Sequence, residues 1–478
     1  MASGCTIGPR YQRPLAQTPP ALKEMAGNAD WKMATPSDSL LKGKWWEVFG
    51  DPQLNHLEEL VAVNNQNVKV AEAQFREARA TVLADHANYY PSIGSTPAIT
   101  AGKNYNGKVI SHTFSLPVAA SWEPDLWGRV RLSVQNAVAN AQVTAADLEN
   151  IRLSQQALLA NDYFLLAAED MQQRVLANTI ETYAKNLQLV TNRHAGGVAS
   201  RSDITLAETQ LAGAQAQFTD IHIARAQAEH AIAVLTGQLP ASIEIGTTVI
   251  NGPPPPIPMS VPSQLLERRP DIAANERLVA IANGNVGLAE VAYYPTLTLS
   301  GSAGFLSTGL QTLFTYTSRY WSAGPSISQT LFDFGRRGAT MENARAAYDA
   351  TVAAYRQTVL AAFQEVEDDL ASLRYLAEEA VVQQQAVVAA QEALTLETER
   401  YRAGTDSYLN VITTQIIALG DQQTAITILQ RRMTAAVDLV KAIGGGWDAS
   451  TLPSGNVLRT TALADSKNTE KVARPASQ

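Results

Sequence analysis

Few residues in this chain could do chemistry, and their spacing does not suit it. There is one cysteine, Cys5, among 478 residues, which excludes a disulfide within the chain and any cysteine-rich metal site. The six histidines (His56, His86, His112, His194, His222, His230) are scattered, with no HExxH pattern and no paired spacing. His222 and His230 could share one helical face, but a solvated face explains them better than a metal site does. No nucleophile elbow, phosphate loop or metal constellation appears, which argues against an enzyme. The net charge of −8 and the lack of a basic tract argue against a nucleic-acid binder.

Cys5 itself follows Ala2-Ser3-Gly4 and precedes Tyr11-Gln12-Arg13-Pro14. A lone cysteine is usually a small buried hydrophobe, but no core can form there. Small residues before a cysteine resemble the end of a bacterial lipoprotein signal, whose cysteine becomes the lipidated first residue. The pattern departs at Ala2, where a large aliphatic residue is usual, and the charged and apolar parts of a signal are absent from the sequence. The expectation is a covalent lipid (palmitate) on Cys5, no other cofactor and no metal, with residues 1–36 as an extended N-terminal segment.

The elements around these residues carry more information. Hydrophobic residues make up 46%, an ordinary share for a folded chain, while charged residues make up only 17%, so helices packed on helices, or strands facing something other than bulk water, are expected. No apolar run is long enough for a transmembrane helix, so a membrane role requires a β-barrel or an anchor. The chain also repeats itself. Tyr89-Tyr90-Pro91 returns as Tyr293-Tyr294-Pro295, a shift of 204 (293 minus 89), and Asn67-Val68 returns as Asp271-Ile272 at the same shift. Gly128-Arg129 aligns with Gly335-Arg336 at a shift of 207 (335 minus 128), which then holds for Gly197 with Gly404 and Gly237 with Gly444.

Each unit reads helix, strand, loop, strand, long helix, glycine turn, helix. The first spans 37–251, with strands near 92–103 and 111–123, a long helix over 129–193 and a helix over 201–237. A Pro-rich linker (252–270) leads to the second, 271–447, with strands near 295–307 and 317–331 and helices over 337–402 and 407–443. A polar tail, 448–478, follows. Period-two alternation identifies the strands: Phe114, Leu116, Val118, Ala120 and Trp122 alternate with small and polar residues, as do Leu297, Leu299, Ala303 and Phe305 with Ser and Thr. A sheet with one apolar face and one Ser/Thr face suits a boundary between lipid and water, although a soluble sandwich would show the same alternation. The helices argue against the sandwich. Nothing breaks the chain from Arg129 to Arg193, about 100 Å of helix at ~1.5 Å per residue, far too long to fold back on four strands. In the second unit Tyr348, Val352, Tyr355, Val359, Ala362, Val366, Leu370 and Leu373 step by four and three, a coiled-coil period.

Aromatics set the orientation. Tyr89 and Tyr90 precede the first strand, and Trp122 and Trp127 lie at or beyond the end of the second. Tyr293 and Tyr294 precede the third, and Phe332 and Phe334 follow the fourth. Hairpin geometry puts all eight at one rim, where the long helices begin, as at the lipid–water boundary of a barrel; aromatics that cap a core would sit there too. Four strands cannot close a lipid-spanning barrel, and open edges in hydrocarbon leave backbone groups unpaired. Three copies would supply twelve strands.

The sequence resembles the TolC-type outer-membrane efflux proteins, in particular the lipoprotein (OprM/NodT-like) branch paired with resistance-nodulation-division pumps. The resemblance runs nearly end to end, through Gly8-Pro9-Arg10-Tyr11-Gln12-Arg13-Pro14, Trp45-Trp46, Phe49-Gly50-Asp51-Pro52, Val261-Pro262-Ser263, Arg268-Arg269-Pro270-Asp271-Ile272 and Tyr401-Arg402-Ala403-Gly404. Arg-Arg-Pro-Asp is the most specific of these, and physically Pro270 and Asp271 suit a helix start without any catalytic role. The implied fold is a mixed α and β membrane protein: an internally duplicated protomer giving four strands of a trimeric 12-stranded β-barrel and long antiparallel helices of a periplasmic α-barrel. The resemblance implies a bacterial outer-membrane protein, lipid-anchored, that conducts small molecules or drugs passively. Its expected partners are two further copies, a periplasmic adaptor protein, an inner-membrane transporter and outer-membrane lipid. A periplasmic adaptor or coiled-coil scaffold, or a metal-ion exporter component of the same family, are the alternative functions.

In that family the functional residues lie at the helix tips, here near Gly197 and Gly404, where glycine is also ordinary C-cap chemistry. Tyr401 matches a tyrosine that ties the closed tip, and Asp203 matches the position of a ring carboxylate. The two ring positions of the second unit are Asn410 and Thr413, both uncharged; Asp406 could replace them or merely solvate a turn. The expectation is a periplasmic gate of Asp203, Tyr401 and Asp406, with Arg201 or Arg402 as counter-charges.

Overall fold

The chain builds one motif twice. A computed structural model describes residues 7–16, 19, 21–24, 43–103, 110–257 and 267–462. Cys5 and the Val261-Pro262-Ser263 segment lie outside these residues.

In the first unit the Asp51 carboxylate accepts from the Gln53 and Leu54 amides (2.8 and 3.2 Å), with Pro52 at the first helical position, and so starts α1 (Pro52–Asn64). Asn65 then turns the corner. It caps α2 (Gln66–Ala87) by accepting from Asn67 and Val68, and its side-chain amide donates to the Leu235 carbonyl at 2.9 Å. Three strands follow, β1 (Ser92–Ser95), β2 (Ala98–Lys103) and β3 (Ile110–Trp122), then α3 (Arg129–Ala195, 67 residues) and α4 (Arg201–Leu235). The second unit has α5 (Pro270–Val291), β4 (Thr296–Ser307), β5 (Arg319–Ser328), α6 (Arg336–Ala403, 68 residues) and α7 (Tyr408–Ala442).

The sequence pattern predicts one strand near 92–103, and the structure divides it. β1 and β2 both pair with β3 in a single antiparallel register, Ser95 opposite Val118 and Ala98 opposite Ser115. The gap at Thr96-Pro97 faces Leu116-Pro117 in that register, so two residues without an amide hydrogen sit on neighbouring strands and the ladder lapses. β3 pairs with β4, and β4 with β5, so the sheet has two free edges, β1/β2 on one side and β5 on the other.

Residues directly opposite in a ladder share a face. One face carries Ile93, Ile99, Phe114, Leu116, Val118, Ala120, Trp122, Leu297, Leu299, Ala303, Phe305, Trp321 and Ile327; the other carries Ser121, Ser115, Ser300, Ser302, Ser322, Ser326 and Ser328. Among the described residues nothing covers the apolar face, and Trp321, Ile327 and Ile93 are each more than 70% exposed. That is the alternation of a strand with lipid on one side and water on the other.

The two long hairpins α3–α4 and α6–α7 run side by side away from the sheet. Their main core lies midway, where Tyr163, Leu159, Leu166, Tyr355, Val359, Val366 and Leu370 pack with Trp45, Trp46 and Leu54. Gly237 and Gly444, partners in the repeat, show why the duplication keeps them. Both have positive φ (71° and 93°), and a Cβ would lie 2.5 Å from the Asn64 carbonyl oxygen at Gly237 and 2.0 Å from that of Arg268 at Gly444. Each unit's last helix thus ends on the backbone where that unit's inner helix begins. The Arg-Arg-Pro-Asp segment does related structural work. Arg269, buried, binds Asp271 (2.7 Å) at the start of α5, Glu365 of α6 (2.7 Å) and the Ala442 carbonyl of α7 (3.1 Å).

Residues 448–478 read as a polar tail, but part of that stretch is built into the fold. Residues 455–462 form a helix, α8, whose Leu458 is buried among Ala78, Val82, Ala137 and Ala141 of α2 and α3. Among the described residues no helix is long and apolar enough to cross a membrane.

Candidate functional site

Two places hold the residues singled out above, the rim between sheet and helices and the far helix tips. At the rim, Trp122 donates its indole N–H to the Tyr89 carbonyl (3.1 Å), and Trp127 donates to the Pro295 carbonyl (2.7 Å) while stacking on Tyr294 at 5.1 Å. The Arg337 guanidinium lies over the Tyr293 ring (5.3 Å). Phe332 and Phe334 pack edge to face at 4.5 Å and stay exposed, Phe334 with a positive φ of 53°, as does Tyr90. The structure therefore gathers all eight aromatics where the strands meet the helices. Both of these tryptophans have the N–H satisfied and the side chain only half-buried, the arrangement that suits a wet–apolar boundary. The arginines there are balanced locally, Arg129 by Glu123 (2.5 Å) and Arg337 by Asp333 (2.6 Å).

At the tips, all four long helices end together on a small core of Val190, Ile204, Ala207, Tyr401, Tyr408, Val411 and Ile412. Gly197 (φ 76°) turns the chain from α3 into α4, and Gly404 (φ 79°) turns it from α6 into α7. Asp203 serves its own helix. Its carboxylate accepts from the Ser200 amide (2.9 Å) while the Ser200 hydroxyl accepts from the Asp203 amide (3.1 Å), a reciprocal capping box.

Tyr401 is buried, and its ring lies between Tyr408 (5.1 Å) and the Arg193 guanidinium (4.7 Å). Its hydroxyl has no hydrogen-bond partner among the described residues, so the ring and the backbone make the contacts here. Arg193 Nη1 donates to the carbonyl oxygens of Tyr401 (2.8 Å) and Arg402 (3.0 Å), filling acceptors that the end of α6 leaves open. Asp406 is held by the Ser407 amide (2.7 Å), the Asn410 side chain (2.7 Å) and Arg400 (3.0 Å). The Ser407 amide leads in holding its carboxyl below the usual range. Burial, reinforced by Tyr401, Tyr183 and Asp203, pushes the Tyr408 hydroxyl up to about 12, so the tip core stays uncharged at neutral pH.

The counter-charges differ from those expected. Arg201 and Arg402 are exposed and make no ion pair among the described residues. Arg400 pairs with Asp406 instead, while Arg193 binds the carbonyl oxygens at the end of α6. The repeat could have identified them, since they stand 207 apart (400 minus 193), the same shift as Gly197 and Gly404.

The model of the outer membrane efflux protein family matches residues 57–238 and 261–445, both repeats and most of the chain. The chain belongs to the outer membrane efflux protein family. It is similar to a probable efflux pump outer membrane protein, TtgC, of Pseudomonas putida, with 30% identity over 94% of each chain. It is also similar to the pyoverdine export outer membrane protein OpmQ of Pseudomonas aeruginosa, with 29% identity over 89% of this chain and 92% of that one. Among solved structures, that of the outer-membrane channel OprN matches with a TM-score of 0.85 and 28% identity, covering 93% of this chain and all of that one. The family's members here are efflux channels, and this chain is an outer-membrane efflux channel subunit, not an enzyme.

Proposed function

We propose that three copies close into a lipid-anchored exit duct, a twelve-stranded barrel in the outer membrane continued by a helical tunnel in the periplasm. The observation that carries this is the sheet with two unpaired edges and an uncovered apolar face. β5 runs antiparallel to a neighbour's β1/β2 when copies are placed in a ring, so closure keeps strand alternation and leaves no backbone group unpaired in lipid. Exposed apolar residues along α6 (Leu360, Val381, Val382, Val388, Leu396) would meet the next copy's helices in the same ring. The duct conducts small molecules passively, fed by an inner-membrane transporter through a periplasmic adaptor. Its tip is held shut by Arg193 on the end of α6, the Tyr401–Tyr408 core and the Arg400–Asp406 pair.

Lipidation at Cys5 fits the path of the N-terminal segment. Tyr11 bonds the Glu276 carboxylate, the Pro9 carbonyl accepts from Asn283 (3.0 Å) and the Ile7 amide donates to the Trp127 carbonyl (3.4 Å), so the chain climbs to the aromatic rim just after Cys5. Two acyl signals, or one with further protein contacts, are what stable anchoring needs, and the barrel supplies the second.

Protease sites inserted after Gly197 and within 308–318 test the orientation. The first should be cut only once the outer membrane is permeabilised, and the second in intact cells. Cleavage after Gly197 in intact cells contradicts the proposal.

A further inference from the structure

The loop joining β4 to β5 (308–318) has no charged residue, and most of its hydroxyls bond within the turn. The Thr312 hydroxyl meets that of Ser307 (2.7 Å), and the Thr312 carbonyl accepts from Thr315 and Ser318 (2.7 Å each). What the loop presents outward is apolar: Leu310, Phe314 and Tyr316 are each more than 60% exposed. The loop also leans to one side. Phe314 packs edge to face on Phe305 (5.3 Å), and the Arg319 guanidinium lies near the rings of Phe305 (6.0 Å) and Tyr316 (5.4 Å). Phe305 stands opposite Leu116 and Arg319, and Ser307 opposite Phe114. The strand side chains making these contacts, Phe305, Ser307 and Arg319, therefore all belong to the apolar face.

Height places the same cluster at a boundary. Eleven residues (305 minus 294) separate Phe305 from Tyr294 of the helix-side rim. At ~3.3 Å per residue and a tilt of about 40°, the strand climbs roughly 28 Å between them, close to the ~25 Å apolar band of an outer-membrane barrel. An exposed aromatic cluster one band height from the first rim stands at the second interface. Charge agrees with this. No Asp or Glu occurs from Pro91 to Trp122 or from Pro295 to Phe332, so Arg319 has no carboxylate in its own sheet. An arginine on the lipid side of a barrel is costly at mid-depth and nearly neutral only at a boundary.

We propose that the β4–β5 loop is an interfacial anchor that lies against the outward face in the headgroup layer of the external leaflet. Leu310, Phe314 and Tyr316 reach the upper acyl chains, and Arg319 takes a lipid phosphate. Lipid is the occupant because the loop's apolar cluster continues the sheet face that meets lipid. The only charge between Pro295 and Phe332, Arg319, is also one that phosphate complements, with two oxygens for one guanidinium. The inference rests on the duct reading, which puts this end of the sheet outside.

The test uses the full-length protein in outer membranes, with the photo-crosslinking amino acid p-benzoylphenylalanine in place of Tyr316, Leu306 or Trp321 in turn. Irradiated protein is extracted and each adduct is weighed. Trp321 lies on the apolar face below the loop and reports whether that face meets lipid at all. No lipid adduct at 321 overturns the duct reading itself. With that adduct present, position 316 should yield an adduct of lipopolysaccharide mass, and position 306, on the water face, should yield none. At 316, a second copy of the chain as the adduct, or no adduct, overturns the anchor. A lipid adduct at 306 equal to that at 316 overturns it too. Arg319→Gln should lower the lipid yield at 316 about fivefold, and Arg319→Lys should retain most of it. An undiminished yield in Arg319→Gln overturns the assignment of the phosphate to Arg319.

Discussion

Replacing Arg193 by alanine removes the contact that joins the end of α3 to the end of α6. Two hydrogen bonds from a charged donor are lost, a part-buried one to the Tyr401 carbonyl and an exposed one to the Arg402 carbonyl, together with the guanidinium's contact with the Tyr401 ring. The buried bond is worth about 1.5 kcal/mol, and the exposed bond and the ring contact about 0.5 kcal/mol each. The total, roughly 2.5 kcal/mol per protomer, corresponds to a change of about 60-fold in the ratio of shut to open tips. Three-fold symmetry repeats the loss in every copy. Single-channel recording in planar bilayers reads this directly: Arg193→Ala should open more often and conduct more than wild type. Tyr401→Phe should match wild type, because the hydroxyl bonds nothing in the protomer. Arg201→Ala and Arg402→Ala should also match it. If Arg193→Ala trimers conduct like wild type, the tie assigned to Arg193 is wrong.

Other parts of the molecule give independent outcomes. Glu58 is fully buried with both carboxylate oxygens unbonded, and burial raises its pKa well above the ordinary 4.5. Above that ordinary value the folded protein keeps a proton the unfolded chain has lost, so stability falls as pH rises toward the folded-state pKa. Thermal melts should therefore show Glu58→Gln more stable than wild type at pH 7.5, with the gap closing by pH 4; a constant gap would count against a neutral Glu58. Gly444→Ala should cost about 3 kcal/mol or more, or prevent assembly, because a Cβ meets the Arg268 carbonyl at a positive φ, whereas Gly213→Ala in α4, with open space around it, should be neutral or slightly stabilising by melting temperature. Cys5→Ser should abolish the acyl mass increment measured on the intact protein, and an unchanged mass difference would rule out lipid on that residue.

Much of this architecture is legible in the sequence, because its signals are local or repeated. Alternation of Phe114, Leu116 and Val118 with small residues finds β3 and its faces, and the long uninterrupted run after Arg129 finds α3. The repeated glycines mark helix ends, and Gly237 and Gly444 are fixed twice over, by positive φ and by the backbone each touches. Misses arise where the deciding neighbour is remote. Nothing near Arg193 in sequence says that the end of α6 lies beside it, so Arg201 and Arg402, closer to the tip turns, looked the better counter-charges. Ser200-x-x-Asp203 is a capping-box pattern, legible in the sequence, and in the protomer Asp203 makes that local contact. α8 was hidden because a two-turn helix with Leu458 and Ala462 inward gives too short a period to stand out in a polar stretch. The gap at Thr96-Pro97 needed the register, since only pairing shows Pro97 and Pro117 on facing strands.

The central claim is that the free edges of one protomer's sheet close only against other copies. The mass of the protein extracted from outer membranes, after correction for bound detergent, tests it most directly. Closure predicts a single species at about three times the 51.4 kDa chain mass. A monodisperse monomer that remains folded and membrane-extracted would contradict it.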